Sequence, residues 1–474
     1  MTQRGGSRLV ATLALIAAFG CAPKQDETAA QLRAHAPQAS PAVRRFYESR
    51  RFAPAWRDAG DRRSLLEALA QAPTHGLEPK AYGLDRLGSS DSSDDEPLGA
   101  QAIAPRDLAF TQSFFEYAAT LAHGRIQKPK PADDPELVPV LERALAHHDV
   151  ADALEALAPQ QPGYQALRDA LKRYRAIGAD PWPALAANDA TGDALRKRLA
   201  AEGLGDLRAF QQRRGLPPTG SLDAETLRVL SIAPQERTKQ IEANLERWRR
   251  LPRDLGKRYI WVNLADFTLV AYDAGAQVLR MRVIVGSQYN PTPIFFDRMA
   301  YLIFNPYWLI PPTIARDEIL PKGRQYMERE GIKTDAQGRL RQEPGPKNPL
   351  GRIKFMFPNQ FDVYLHDTSK AELFERQDRT LSHGCVRVEK PVELAAFVLG
   401  GKLTREQIVA AIESGENKRV DVADPVPVYV LYWTAWVDSD GSVEFRDDVY
   451  GYDQALEQEL TVEASRGASA AQSS

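Results

Sequence analysis

Two short segments bring reactive side chains close together: Tyr364-Leu365-His366-Asp367-Thr368 and, 19 positions on from the histidine, Ser382-His383-Gly384-Cys385-Val386-Arg387. A thiol becomes a strong nucleophile once ionised, and a neighbouring imidazole is the usual means of holding a thiolate near neutral pH. His366 and His383 are the two imidazoles at hand. Gly384, without a Cβ, lets the backbone turn sharply and expose N–H groups beside the cysteine, where they can hold the oxyanion of a tetrahedral intermediate. The pattern points to attack by Cys385 on a carbonyl. Three other readings compete. A lone cysteine is often a small hydrophobe, but Ser382, His383 and Arg387 do not make an apolar niche. Cys385, His383 and His366 could bind zinc, yet no second paired ligand set accompanies them. Ser382 lacks the Gly-x-Ser-x-Gly setting and an evident acid partner. No metal and no organic cofactor is implied.

The chain of 474 residues holds two cysteines, Cys21 and Cys385. Arg4 and Arg8 precede the apolar run Leu9 to Phe19, which is too short to span a bilayer and has the shape of a signal peptide over 1–20. Its end, Ala18-Phe19-Gly20-Cys21, resembles the lipobox of bacterial lipoproteins, with Ala18 where Leu is usual. The resemblance implies lipidation at Cys21, a membrane anchor and a periplasmic location; Ala22 in place of Asp favours the outer membrane. Cleavage after Gly20 is the alternative. A lipidated Cys21 leaves Cys385 as a free thiol in an oxidising compartment.

The elements that must position Cys385 fall into several domains, as the length suggests. Residues 21–40, polar and rich in Ala, Gln and Pro, read as a tether. Residues 41–185 read as a helical scaffold, with Phe110, Phe114, Tyr117 and Leu121 forming one stripe. An acidic low-complexity loop, 88–96, interrupts it. Residues 186–232 read as a compact helical unit in which Gly215 and Gly220 punctuate a turn and Asp223 starts the next helix. A linking helix, 233–256, follows. From 257 to 455 the period changes to that of strands: Leu279, Met281, Val283 and Val285 face one way. Within this part, 311–346 is a long charged excursion of the kind that covers an active site. The tail, 456–474, reads as disordered. The fold class is α+β, multidomain. With 43% apolar and 26% charged residues and a net charge of −2, the chain has no basic footprint, so nucleic acid is excluded as a partner.

The block Ser382-His383-Gly384-Cys385-Val386-Arg387, with Tyr364-Leu365-His366-Asp367-Thr368 before it, resembles the signature of the L,D-transpeptidase (YkuD-type) catalytic domain. The stretches Phe304 to Ile314, Asn348 to Gly351 and Val426 to Tyr429 are similar to its large multidomain subgroup, which carries an N-terminal scaffold and a three-helix peptidoglycan-binding domain. Ser369 stands where proline is expected. The resemblance implies a mostly β, sandwich-like catalytic domain with a lid at 311–346. It implies that Cys385 attacks the diaminopimelate–D-alanine bond of a donor stem peptide and releases D-alanine. His366 would be the base, its Nδ1–H donating to a backbone carbonyl such as that of Asp367. The Gly384 and Cys385 N–H groups and the Tyr364 hydroxyl would form the oxyanion hole. His383, Arg387, Ser382, Asp367, Thr368 and Trp308 would position substrate. The amine of a second stem would then resolve the thioester; water or a protein amine could replace it, and an inactive wall-binding scaffold is the reading from another class. Inhibition by carbapenems is implied as well.

Overall fold

The computed structural model describes residues 22–91, 100–126, 134–179, 185 and 192–472. The signal peptide, Cys21 and residues 92–96 of the acidic loop lie outside the described residues. The chain divides into two compact units, one containing the chain up to Pro73 and Glu78–Ala158, the other Thr74–Leu77 and Pro159–Ser474.

The first unit is helical. Its centre is the helix Ala100–His123, whose stripe Phe110, Phe114, Tyr117 and Leu121 is buried throughout. Trp56, Phe46 and Tyr47 pack round it. Asp107 is buried there and accepts from the Tyr47 hydroxyl at 2.5 Å and from the Ala55 and Trp56 N–H groups. The expected tether is instead a helix, Ala22–His35, followed by a single 3-10 turn. Thr28, Leu32 and Ala36 recur every four residues and are buried, so one apolar stripe in a polar segment was enough to dock it. The start of the acidic loop is also helical, within Leu84–Asp91.

In the second unit the helix Pro162–Ile177, placed in the scaffold by sequence, packs on Pro234–Arg249. Between them in sequence, the helices Asp193–Ala201, Leu207–Arg213 and Ala224–Leu230 enclose Leu195, Leu199, Phe210, Val229 and Leu230. Asp223 caps the third by accepting from Thr226 N–H at 2.7 Å. Gly215 and Gly220 sit at φ +69° and +76°, where a side chain would be strained.

Fourteen strands follow among the described residues: β1 (Arg258–Asn263), β2 (Thr268–Asp273), β3 (Ala276–Gly286), β4 (Phe295–Phe304), β5 (Trp308–Leu309), β6 (Ile332–Thr334), β7 (Leu340–Gln342), β8 (Ile353–Met356), β9 (Leu365–His366), β10 (Thr380–Ser382), β11 (Val386–Val388), β12 (Lys418–Leu431), β13 (Ala435–Val437) and β14 (Val443–Phe445). The main sheet runs β10-β3-β11-β9-β8-β4-β12-β1-β2, and β2 pairs back onto β3, so the ladder closes on itself. It encloses an apolar core that includes Ile260, Val283, Leu302, Phe355, Leu365, Val386 and Val428. Strands β5, β7 and β6 form a separate small sheet, with β6 and β7 inside the expected lid and β5 just before it. That excursion has its own core, Ile310, Ile319 and Ile332 with Trp308 against it. The tail expected to be disordered continues as the helix Tyr452–Gln472, held at its start by Leu456, which is buried, and by Asp453, which pairs with Arg247.

Candidate active site

Strand β9 lies between β8 and β11, and its register decides which side chains meet. Leu365 pairs with Phe355 and Val386, and all three are fully buried in the core. Side chains alternate between faces along a strand. The opposite face therefore carries Lys354, His366 and Arg387 as one row across three strands, since His366 pairs with both Lys354 and Arg387. Tyr364 and Cys385 come just before β9 and β11, and the Tyr364 hydroxyl bonds the Cys385 thiol. Val386 N–H donates to Tyr364 O at 3.1 Å and locks this arrangement.

Cys385 is a free thiol, half-buried. Its sulfur lies 4.0 Å from the carbonyl oxygen of Asp362, a residue at φ +54°. Burial pushes the thiol up from its ordinary range. Hydrogen bonds from the Tyr364 backbone and hydroxyl, then the charges of Lys354 and Arg387, oppose that rise. Burial also raises Tyr364, so its hydroxyl keeps its proton and remains a donor. His366 is buried, and its Nδ1–H donates to Asp367 O at 2.5 Å, which leaves Nε2 as the acceptor. Burial first, then the charge of Arg387, holds this imidazole down to about 3. A neutral ring has no charge with which to stabilise a thiolate. The cations acting on the sulfur are thus Lys354 and Arg387 and not the imidazolium expected from sequence.

The Ser382–Cys385 turn is held from two sides. Ser382 Oγ donates to Cys385 O at 2.5 Å and accepts from Gly384 N–H at 3.1 Å. This corrects one expectation: the Gly384 N–H is committed within the turn, because the serine hydroxyl that precedes it folds back. Gly384 itself stands at φ +113°, a backbone conformation that suits glycine. From the other side the buried Thr292 hydroxyl donates to Gly384 O at 2.8 Å and accepts from Gly286 N–H at 2.9 Å. In a trans peptide C=O and N–H point oppositely, so Thr292 aims the Cys385 N–H away from itself.

The remaining expected site residues have other partners. Asp367 accepts from Arg352 N–H (2.8 Å) and Thr368 N–H (2.7 Å), and Gly351 lies against it so closely that a Cβ there would fall 2.4 Å from its Cγ. Thr368 Oγ1 accepts from Lys370 N–H. Both fix the chain after His366. His383 is exposed and meets Glu318 of the excursion at 2.5 Å. Trp308 packs against the Ile310, Ile319 and Ile332 cluster. Lys354 and Thr292 went unnoticed in the sequence; the register of β8 and a buried hydroxyl after a β-turn carry no local signature. A cavity of about 540 Å³ elsewhere in this unit, lined by Arg247, Tyr429, Trp433 and Tyr452 among others, contains none of these residues. In the first unit Asp58, Asp61 and His148 have ligand atoms close enough to share an ion, but Asp58 caps Gly60 and Asp61 N–H and His148 pairs with Asp61.

Residues 257–428 match the family of L,D-transpeptidase catalytic domains (YkuD). Residues 41–171 match a family described as "Scaffold domain", and 206–230 one described as "Putative peptidoglycan binding domain". A Haemophilus influenzae protein named "Putative L,D-transpeptidase" is 31% identical over 245 residues, 46% of this chain and 49% of the relative. The chain thus spans about half the length of the curated relative it matches. Among solved structures, an L,D-transpeptidase from Mycobacterium smegmatis shows 14% identity and a TM-score of 0.22 over 37% of this chain and 58% of its own. One from Stackebrandtia nassauensis shows 13% identity and a TM-score of 0.21, over 56% and 90%. The region that matches the catalytic-domain family, 257–428, includes Lys354, Tyr364, His366, Cys385 and Arg387.

Proposed function

We propose that this protein is a cysteine-dependent peptidoglycan L,D-transpeptidase. The observation that carries the reading is the row of Lys354, His366 and Arg387 across β8, β9 and β11, with the Tyr364 hydroxyl bonded to the Cys385 thiol beside it. At rest the thiol holds its proton. As Cys385 attacks the carbonyl between diaminopimelate and D-alanine, His366 Nε2 takes that proton and passes it to the leaving D-alanine amine. The Cys385 N–H and the Tyr364 hydroxyl stabilise the oxyanion. The side-chain amine of a second stem then attacks the thioester, regenerates the thiol and closes the cross-link. His383 and Arg387 orient the stems, Arg387 through its planar fork. The helical unit at 206–230 supports binding to the wall.

The test is incubation with tetrapeptide-bearing muropeptides and mass analysis of the products. Cross-linked dimer with loss of D-alanine, abolished in Cys385→Ala, supports transfer. Trimmed monomer alone replaces transfer with hydrolysis, and no reaction from folded protein removes the enzymatic reading. Export to the periplasm and an anchor on Cys21 rest on the N-terminal sequence; an unmodified N-terminal peptide from the membrane fraction would remove the anchor.

A further inference from the structure

Two cations act on the reactive thiol, and among the described residues neither is held in an ion pair. Lys354 is half-buried on β8, and its Nζ lies 3.7 Å from the centre of the Tyr364 ring. Arg387 is half-buried on β11, and its buried Nε has no hydrogen-bond partner. Among the described residues neither has a carboxylate at ion-pair distance. The charged or titratable groups facing this pair are Cys385, Tyr364 and His366, with Asp362 on the loop before β9. Burial of an unpaired cation is costly unless an anion completes its surroundings. The Tyr364 ring offers Lys354 only its quadrupole, and the neutral His366 between the two cations offers nothing. Asp362 acts on Lys354 only through its charge, without an ion pair, so the groove still favours an entering anion.

We propose that Lys354 is an electrostatic positioning residue for Cys385: with Arg387 it makes the groove an anion receptor that holds the thiolate and draws carboxylate-bearing acyl donors. This rests on the transpeptidase reading, but its test needs no wall substrate. Lys354 acts in two ways. Its charge favours the sulfur anion from β8, with only the short strand β9 between them. Placed on the phenol face, it also strengthens the Tyr364 hydroxyl as a donor to that anion. Burial depresses Lys354 itself, and the thiolate charge restores it, so lysine and cysteine support each other's ionised forms.

The experiment uses the whole chain and small alkylating probes with intact-mass detection at Cys385. Lys354→Met should raise the pH midpoint of alkylation by neutral iodoacetamide by about one unit, the effect of one nearby cation in a partly desolvated site. The rate with anionic iodoacetate should fall several-fold more than that with iodoacetamide, since only the anionic probe senses the lost charge. Lys354→Arg should restore both. An unchanged midpoint in folded Lys354→Met overturns the proposal. If that variant does not fold, Lys354→Gln decides by the same two readings. If muropeptide transfer fails while the midpoint shifts as stated, the cation role stands and the substrate reading falls.

Discussion

Replacing Thr292 by valine keeps the shape of a fully buried side chain and deletes one hydroxyl. That hydroxyl donates to Gly384 O at 2.8 Å and accepts from Gly286 N–H at 2.9 Å. Gly286 cannot move to compensate: a Cβ there would meet Asn290 O at 2.2 Å, and its own carbonyl accepts from the Tyr450 hydroxyl at 2.5 Å. Each of the two buried groups left unsatisfied costs about 1–3 kcal/mol, so Thr292→Val should lose about 2–6 kcal/mol of stability. The larger effect is on catalysis. With Gly384 O released, the Gly384–Cys385 peptide can rotate, and the Cys385 N–H loses its aim. Removal of one oxyanion donor costs about 100- to 1000-fold in kcat, and a misdirected donor should approach the lower figure. Urea unfolding measures the first quantity, and muropeptide transfer measures the second without denaturant at a temperature where the variant is folded. Thr292→Ser should recover most of each. A variant that loses stability yet keeps its kcat would refute the claim that Thr292 aims the reactive peptide.

Three further outcomes are expected. His366 is held neutral down to about 3 when folded but titrates near its ordinary value when unfolded, so the unfolded chain binds the extra proton between these values. Stability should therefore fall as pH drops below about 6.5, by about 3 kcal/mol at pH 4, and His366→Gln should flatten that part of the urea-midpoint profile. Gly351→Ala combines φ +62° with a Cβ 2.4 Å from Asp367 Cγ, so it should displace the chain bearing His366 and cost about 2 kcal/mol or more in urea unfolding. A carbapenem should form a single covalent adduct, seen by intact mass, that Cys385→Ala does not form.

The chemistry was legible because it is written locally. The segments around His366 and Cys385 state which side chains are present, and the serine and glycine beside the thiol signal a tight turn. The stripe on Ala100–His123 and the cap at Asp223 follow from short-range periodicity and end chemistry in the same way. The segment 22–40 misled because low mean hydropathy hid a narrow stripe of Thr28, Leu32 and Ala36 that only a partner helix reveals. The run Phe361 to Leu365 has the aromatic and branched side chains of a strand, but Asp362 at positive φ breaks it, and β9 is only Leu365–His366.

By itself the sequence determined the reactive groups, since nucleophile, imidazole and flexible turn are properties of residue types at fixed spacing. Tertiary structure decided their electrical surroundings. Strand register put Lys354 opposite His366, a hydroxyl far along the chain took hold of Gly384, and burial kept the imidazole neutral. Those effects arise from pairing and desolvation between segments distant in sequence, and no local pattern of residues encodes which segments will meet.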